Sequence, residues 1–278
     1  SKVVSVGEGF ESDLGFIRRK GIFKQFIRYE RRFWIETEKI TNINISQNFR
    51  YITKPYKNSL ITDRDYTAGF EIEFQSLSNF SIDFSYPYTY LDSEFNVTRR
   101  DGAVPIPIGG YNYPNLEISF RNSFFSKFSY SVEIGGGQFF NGTKKSIQAR
   151  IGYRIEPIVQ TSLNISYDKI ELPKPYDTAD LWLIGPKINF TFSKKLFWSN
   201  YIQYSNIGES VGINSRLQWR FAPLSDFYLV YNDNYFASNI FAPKLRSLTF
   251  KLSYWSVSYT HLRAHETSLH LVCRLLLE

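Results

Sequence analysis

The sequence predicts an all-β protein, an antiparallel up-and-down β-barrel of about fourteen strands that crosses a membrane. Three observations carry this prediction. Apolar and polar residues alternate over long runs, shorter and longer connections alternate between those runs, and aromatic residues, 18% of the chain, crowd the ends of the runs. Period-two alternation is typical of strands with one apolar and one polar face.

The alternation is regular enough to assign faces. In Ser215 to Phe221 (SRLQWRF), Leu217, Trp219 and Phe221 share one face, and the intervening residues, two of them arginines, share the other. Val159 to Tyr167 (VQTSLNISY) shows the same pattern. A mean hydropathy of −0.29 fits such alternation, because the two faces average out.

Connections of two kinds separate the runs. Short turns are predicted at residues 76–79, 122–127, 156–158, 193–195 and 222–226. Mostly longer, more polar connections are predicted at residues 53–65, 91–112, 138–144, 171–180, 206–209 and 236–244. Outer-membrane barrels combine short periplasmic turns with longer external loops. The pattern therefore favours a meander whose two rims face different compartments.

Strand length and aromatic placement agree with a membrane barrel. About ten residues suffice for a tilted strand to cross a bilayer, and aromatic girdles mark both interfaces. Thirteen strands are predicted from about Phe23 to Trp255, with a fourteenth at Lys2 to Val6. No run of 18 apolar residues suggests a membrane-spanning helix. A soluble sandwich or propeller is the alternative, but no blade repeat of about forty residues is found.

Charge and composition exclude several classes of function. The net charge is +7, but the basic residues are spread along the chain among acidic ones, so nucleic acid is not an expected partner. The sequence contains no methionine, which predicts that it is a piece of a longer protein. One cysteine excludes a disulfide framework.

Charged residues on the polar faces are the candidate binding residues, predicted to face an aqueous interior. They are Glu71, Glu73, Glu117, Glu133, Arg150, Arg154, Arg216 and Arg220, with Asp83, Arg121 and Lys251 on the same faces. A glycosidase pair among the carboxylates is conceivable, but charges of both signs that pair and hold water are the stronger interpretation. Arg216 and Arg220 are close basic neighbours and form a hypothetical contact for an anionic solute.

Basic residues in predicted external loops are candidates for lipopolysaccharide phosphates. They are Arg18, Arg19, Lys20, Arg99 and Arg100. Solvated loop charge is the stronger interpretation.

Three segments carry a resemblance to a known family. GFIRRKGIFKQF (15–26), NSRLQWRFAPLSDFYLVYNDN (214–234) and RSLTFKLSYW (246–255) resemble the C-terminal region of a family of Gram-negative cell-envelope proteins. Members carry an N-terminal domain similar to family-nine carbohydrate-binding modules, followed by a long β-rich domain of unknown function. The resemblance implies a carbohydrate-binding module upstream of this sequence, and a cell-envelope family agrees with the bacterial outer membrane that the barrel pattern predicts. No functional residue of that module can be transferred here.

The last 22 residues resemble something else. VSYTHLRAHET and LVCRLLLE, within residues 257–278, resemble the in-frame translation of a sequencing-library adapter. All three histidines and the cysteine (His261, His265, His270 and Cys273) lie in this tail. Without them, Ser–His and Cys–His catalysis and ordinary zinc sites are excluded within residues 1–256. No enzyme activity, metal or cofactor is therefore predicted.

The sequence thus predicts two parts: an outer-membrane β-barrel domain over residues 1–256, and a non-native tail over residues 257–278. The expected function is a channel, transporter or membrane anchor linked to an upstream carbohydrate-binding module. The alternative is a soluble β-rich envelope domain with a sugar-binding or hydrolytic role.

Overall fold

The fold is a single antiparallel β-sheet. A computed structural model describes residues 1–11, 19–35, 37–55, 57, 59–97, 102–237 and 239–255, and within these the side chains of 239–241 and 243 are left aside. Over these ranges the sheet has sixteen strands, and no helix occurs. No described helix is therefore available to span a membrane.

The strands are β1 Lys2–Val6, β2 Ile22–Trp34, β3 Ile40–Lys54, β4 Leu60–Phe74, β5 Asn79–Ser85, β6 Tyr88–Leu91, β7 Gly109–Asn112, β8 Asn115–Arg121, β9 Phe128–Phe139, β10 Gly142–Ile155, β11 Val159–Glu171, β12 Ala179–Ser193, β13 Leu196–Ser205, β14 Ser210–Ala222, β15 Ser225–Phe236 and β16 Asn239–Ser253.

The strand order is a simple meander. Fourteen strands, β1 to β5 and β8 to β16, pair with their neighbours in sequence order, and the β6–β7 hairpin extends the sheet beside β4. The predicted up-and-down arrangement is confirmed. The strand predicted between the turn at 76–79 and the connection at 91–112 is broken at Tyr86–Pro87, because proline donates no ladder hydrogen bond. A further short strand, β7, lies within the connection predicted at 91–112, and Tyr113–Pro114 separates it from β8. This accounts for sixteen strands instead of about fourteen.

The described sheet is open. β1 and β16 lie at its two ends, and over the described ranges they do not pair with each other. The predicted closure into a transmembrane barrel is thus not seen between these two edges. Among the described residues, no strand pairs with the outer edge of β16, which is 15 residues long, or with that of β1, which has only five.

Several connections are tighter than their polarity predicts. β9 and β10 join through residues 140–141 only, β15 and β16 through residues 237–238, and β3 and β4 through residues 55–59. The predictions of longer connections at 53–65, 138–144 and 236–244 are therefore wrong in extent. Backbone pairing does not require apolar side chains, so polar pairs such as Thr143 with Gln138 continue the ladder beyond the apolar zone.

The two faces of the sheet differ in chemistry. Directly paired residues point to the same side, so the register Tyr130–Ile151–Leu163–Pro186 traces an apolar face across β9 to β12. That face is exposed, since Ile151 is 43% accessible and Phe250 on β16 is 64% accessible.

Little of the described chain is buried. Only five apolar side chains in the described residues are buried, namely Ile22, Ile52, Ile106, Ile170 and Ala179. A sandwich would bury its apolar faces between two sheets in a dry core. The described part of the chain has one sheet and no such core.

A charged cluster interrupts the apolar face near the long-connection end of β15 and β16. Arg246 donates from Nε and Nη2 to Asp233 Oδ2 at 3.0 and 2.8 Å, and the Tyr231 hydroxyl donates to the same oxygen at 2.8 Å. Asp233 and Arg246 are directly opposite in the register. Their pairing lets the two charges share this face.

The glycine run at 135–137 lies inside β9 and causes no register shift. A Cβ at Gly137 would lie 2.1 Å from the Pro114 carbonyl oxygen and 2.6 Å from Asn115 Cα. Glycine is therefore required where the broken strand β7–β8 crosses β9 closely. The run is neither a bulge nor a strand end.

Candidate functional site

The polar face of the sheet is the candidate functional surface. Cross-strand register places all eight candidate residues on this face, together with Asp83, Arg121 and Lys251. Their charges are segregated along the sheet. Carboxylates concentrate on β4 to β9 and cations on β10 to β14. Whether the face encloses an aqueous interior stays a prediction.

Buried amides hold the first two carboxylates. Asn42 Nδ2 donates to Glu73 Oε2 at 2.7 Å, and Asn44 Nδ2 donates to Glu71 Oε2 at 3.4 Å. Glu71 also accepts from Asn79 Nδ2. Both β3 asparagines are nearly inaccessible, at 2% and 6%. These two glutamates are part of a fixed hydrogen-bonded network on β3 to β5.

A second acidic group lies one register row away. Asp83 on β5 is directly opposite Glu117 on β8, and Gly69 on β4 completes the row beside Asp83. A Cβ at Gly69 would lie 2.5 Å from Asp83 Oδ1, so a larger residue there would displace this carboxylate. Ser81 Oγ donates to Asp83 Oδ2 at 3.0 Å. The row concentrates negative charge.

A hollow of about 440 Å³ is bordered by Glu133, Arg150 and Arg121. Hydroxyl and amide side chains such as Ser119, Ser166 and Asn164 line it together with apolar residues such as Leu183. The Arg121 guanidinium lies over the Phe124 ring, 4.6 Å from its centroid. This hollow lies at the boundary between the acidic and basic parts of the face.

Two of the candidate arginines are neutralised by neighbours. Arg154 pairs with Glu156 at 3.3 Å, and Arg220 pairs with Asp226 at 3.3 Å. Arg216 has no carboxylate within ion-pair distance among the described residues. Of the two arginines in the hypothetical anion contact, only Arg216 therefore lacks a carboxylate partner among the described residues.

Sequence reasoning did not include Lys187 among the candidates. Lys187 lies on the polar face of β12, paired with Ser162 and Tyr201. It comes directly after Gly185 and Pro186. This dipeptide is typical of turns, but here it lies inside β12. The alternation of Trp182, Ile184, Pro186 and Ile188 on the opposite face is the signal that identifies its position.

The rim with the long connections is held together by ion pairs and aromatic rings. Lys54 Nζ donates to Asp92 Oδ2 at 2.9 Å, and this hydrogen bond and the lysine charge lower the pKa of Asp92. Ile106, in the connection between β6 and β7, is only 1% accessible. Phe140 lies 5.5 Å from Phe95 and 5.3 Å from Tyr111, centroid to centroid.

The basic loop residues are only partly described. Arg19 binds Asp63, and Lys20 lies 3.5 Å from Glu11. Arg18, Arg99 and Arg100 lie outside the described residues, so their predicted contact with lipopolysaccharide stays a prediction. The same holds for His261, His265, His270 and Cys273 in the tail.

In the part of the chain that the structure describes, no group of three His, Cys, Asp or Glu side chains could hold a metal ion. Comparisons of the chain with family models, curated proteins and solved structures found no match. Function must therefore be argued from the two faces of the sheet.

Proposed function

We propose that the chain forms the transmembrane sheet of a bacterial outer-membrane β-barrel, which acts as a channel, transporter or membrane anchor. One observation carries the proposal: an extended apolar face is exposed across β8 to β16, interrupted by the charged cluster of Asp233 and Arg246 at one end of β15 and β16. Monomeric soluble proteins rarely expose apolar patches larger than a few hundred Å². Lipid is the solvent in which such a face is favourable.

The height of the apolar face supports the proposal. On β12 it runs from Trp182 to Phe192, about 33 Å along the strand. At the usual strand tilt this spans about 25 Å, the height of an outer-membrane barrel's apolar band. Trp182 packs against Tyr167 at one end in a tilted arrangement, and Phe190 stacks on Trp198 at the other. Aromatic pairs at both ends match the interfacial girdles.

The link to an upstream carbohydrate-binding module is part of the proposal, and it depends on the resemblance alone. In that arrangement the barrel anchors the module or works with it. A closed barrel also requires that the free edges of β1 and β16 be paired, with each other or with further strands, because lipid cannot satisfy unpaired backbone groups.

The proposal predicts a dependence on amphiphile. Residues 1–256 should remain folded in detergent or lipid and precipitate when it is removed, because the apolar face then contacts water. The barrel should also migrate differently on a gel with and without heating. Circular dichroism and light scattering during detergent removal measure the first effect. A folded, monodisperse protein in plain buffer would contradict the proposal and favour the soluble alternative.

A further inference from the structure

On β10, β12 and β14, three exposed cations of the polar face have no carboxylate partner among the described residues: Arg150, Lys187 and Arg216. The other cations on the polar face of these strands do have one. Lys144 pairs with Asp168 at 3.1 Å, and Arg154 and Arg220 are paired as described above. On these three strands, half of the polar-face cations are thus paired with carboxylates and half are not.

Register gives the three cations a regular spacing. Arg150 is paired through Asn164 with Gly185, and Lys187 lies two residues beyond Gly185 on β12. Lys187 is paired through Tyr201 with Asn214, and Arg216 lies two residues beyond that on β14. Each step therefore crosses two strands and advances two residues, about 12 Å between Cα atoms.

The three cations also lie at one depth from the short-turn rim. Arg150 lies five residues before the end of β10, and Lys187 and Arg216 each lie six residues before the ends of β12 and β14. The strand ends shift along the register at the same rate as the cations. The three side chains thus form an arc parallel to the rim, which we call the basic arc.

Two adjacent hollows connect the basic arc. One, of about 230 Å³, lies between Arg150 and Lys187, and the other, of about 360 Å³, lies between Lys187 and Arg216. Lys187 borders both. Arg154, which is paired with Glu156, and the rings of Phe124 and Tyr153 also border the first hollow. Neutral hydrogen-bonding side chains line much of the rest of the two hollows: Gln160, Ser162, Asn189, Ser199, Tyr201 and Asn214. Charged points thus alternate with groups that can bind hydroxyls.

We propose that the basic arc binds a linear polyanion, an oligosaccharide bearing carboxylate or sulfate groups, in an extended pose along β10 to β14. Arg150, Lys187 and Arg216 each bind an anionic group, and the hollows between them take the hydroxyl-bearing units. The inference depends on the proposed function in one respect, that this face is open to water. Charge-assisted hydrogen bonds supply the strongest contacts.

The test is calorimetric titration of the detergent-solubilised chain with oligogalacturonate, with a neutral malto-oligosaccharide of equal length as control. We expect binding of the charged oligomer only, weakened by salt. Arg150→Gln, Lys187→Gln and Arg216→Gln should each weaken it about tenfold, because each removes a charge-assisted contact. Arg220→Gln removes the same charge from β14 at a paired position and should change the affinity less than about twofold.

Equal binding of the neutral oligomer, an unchanged affinity in the three variants, or an equal loss in Arg220→Gln would overturn the inference. Its failure is distinct from failure of the membrane proposal. A protein that needs detergent but binds no polyanion lacks this site only. If the protein stays folded without detergent and still binds the polyanion, the membrane proposal is contradicted and the polyanion site is supported.

Discussion

Arginine in place of Ile151 should block insertion of the sheet or destabilise it by about 2–4 kcal/mol, the cost of a cation on the lipid face near the bilayer midplane. Ile151 lies in the middle of the apolar side of β10, between Tyr130 and Leu163 in the register. The measurement is the urea midpoint of unfolding in lipid vesicles, followed by tryptophan fluorescence.

Gln148→Arg is the matched control, because it places the same side chain on the same strand but on the polar face. Gln148 is paired with Glu133 and Ser166, so an arginine there meets polar neighbours. Its unfolding midpoint should stay near that of the unsubstituted chain. A similar loss in both variants would contradict the assignment of faces.

Alanine in place of Gly137 should destabilise the sheet by about 1–3 kcal/mol, the usual cost of overpacking. The new methyl would overlap the backbone at Pro114 and Asn115, which cannot move without displacing β8. The measurement is the free energy of unfolding from urea titrations of the folded chain in detergent micelles.

Gly136→Ala is the control, since the nearest atom to a Cβ there is the Lys144 carbonyl oxygen, at 3.8 Å. That substitution should change the free energy of unfolding by less than about 0.5 kcal/mol. Equal stability of the two variants would show that β8 does not approach β9 as described.

Much of this fold follows from local pattern. Alternation in β11 and β14 indicates both the strand and its two faces, because side chains point to opposite sides in turn. Strand ends are harder, since polar residues such as Lys144 pair as well as apolar ones. Closure of the sheet is a long-range property, and no local pattern determines what lies against the free edge of β16.

The candidate site shows the same division. Period two places Glu117 and Arg216 on one face, but it does not indicate which charges have partners. Pairing of Arg220 with Asp226 depends on the turn between β14 and β15, and the freedom of Arg216 depends on what β13 and β15 place beside it. The polar-face position of Lys187 is hard to predict, because the preceding Gly185 and Pro186 are typical of a turn and not of a strand.

The central claim is that the apolar face of the sheet contacts lipid and the polar face contacts water. Spin labels at single cysteines from Ser146 to Arg154, with Cys273 replaced by serine, test it in lipid vesicles. Collision with oxygen should peak at positions 147, 149, 151 and 153, and collision with a water-soluble nickel complex at 146, 148, 150, 152 and 154. Alternation in the opposite phase, or no alternation along β10, would contradict the account.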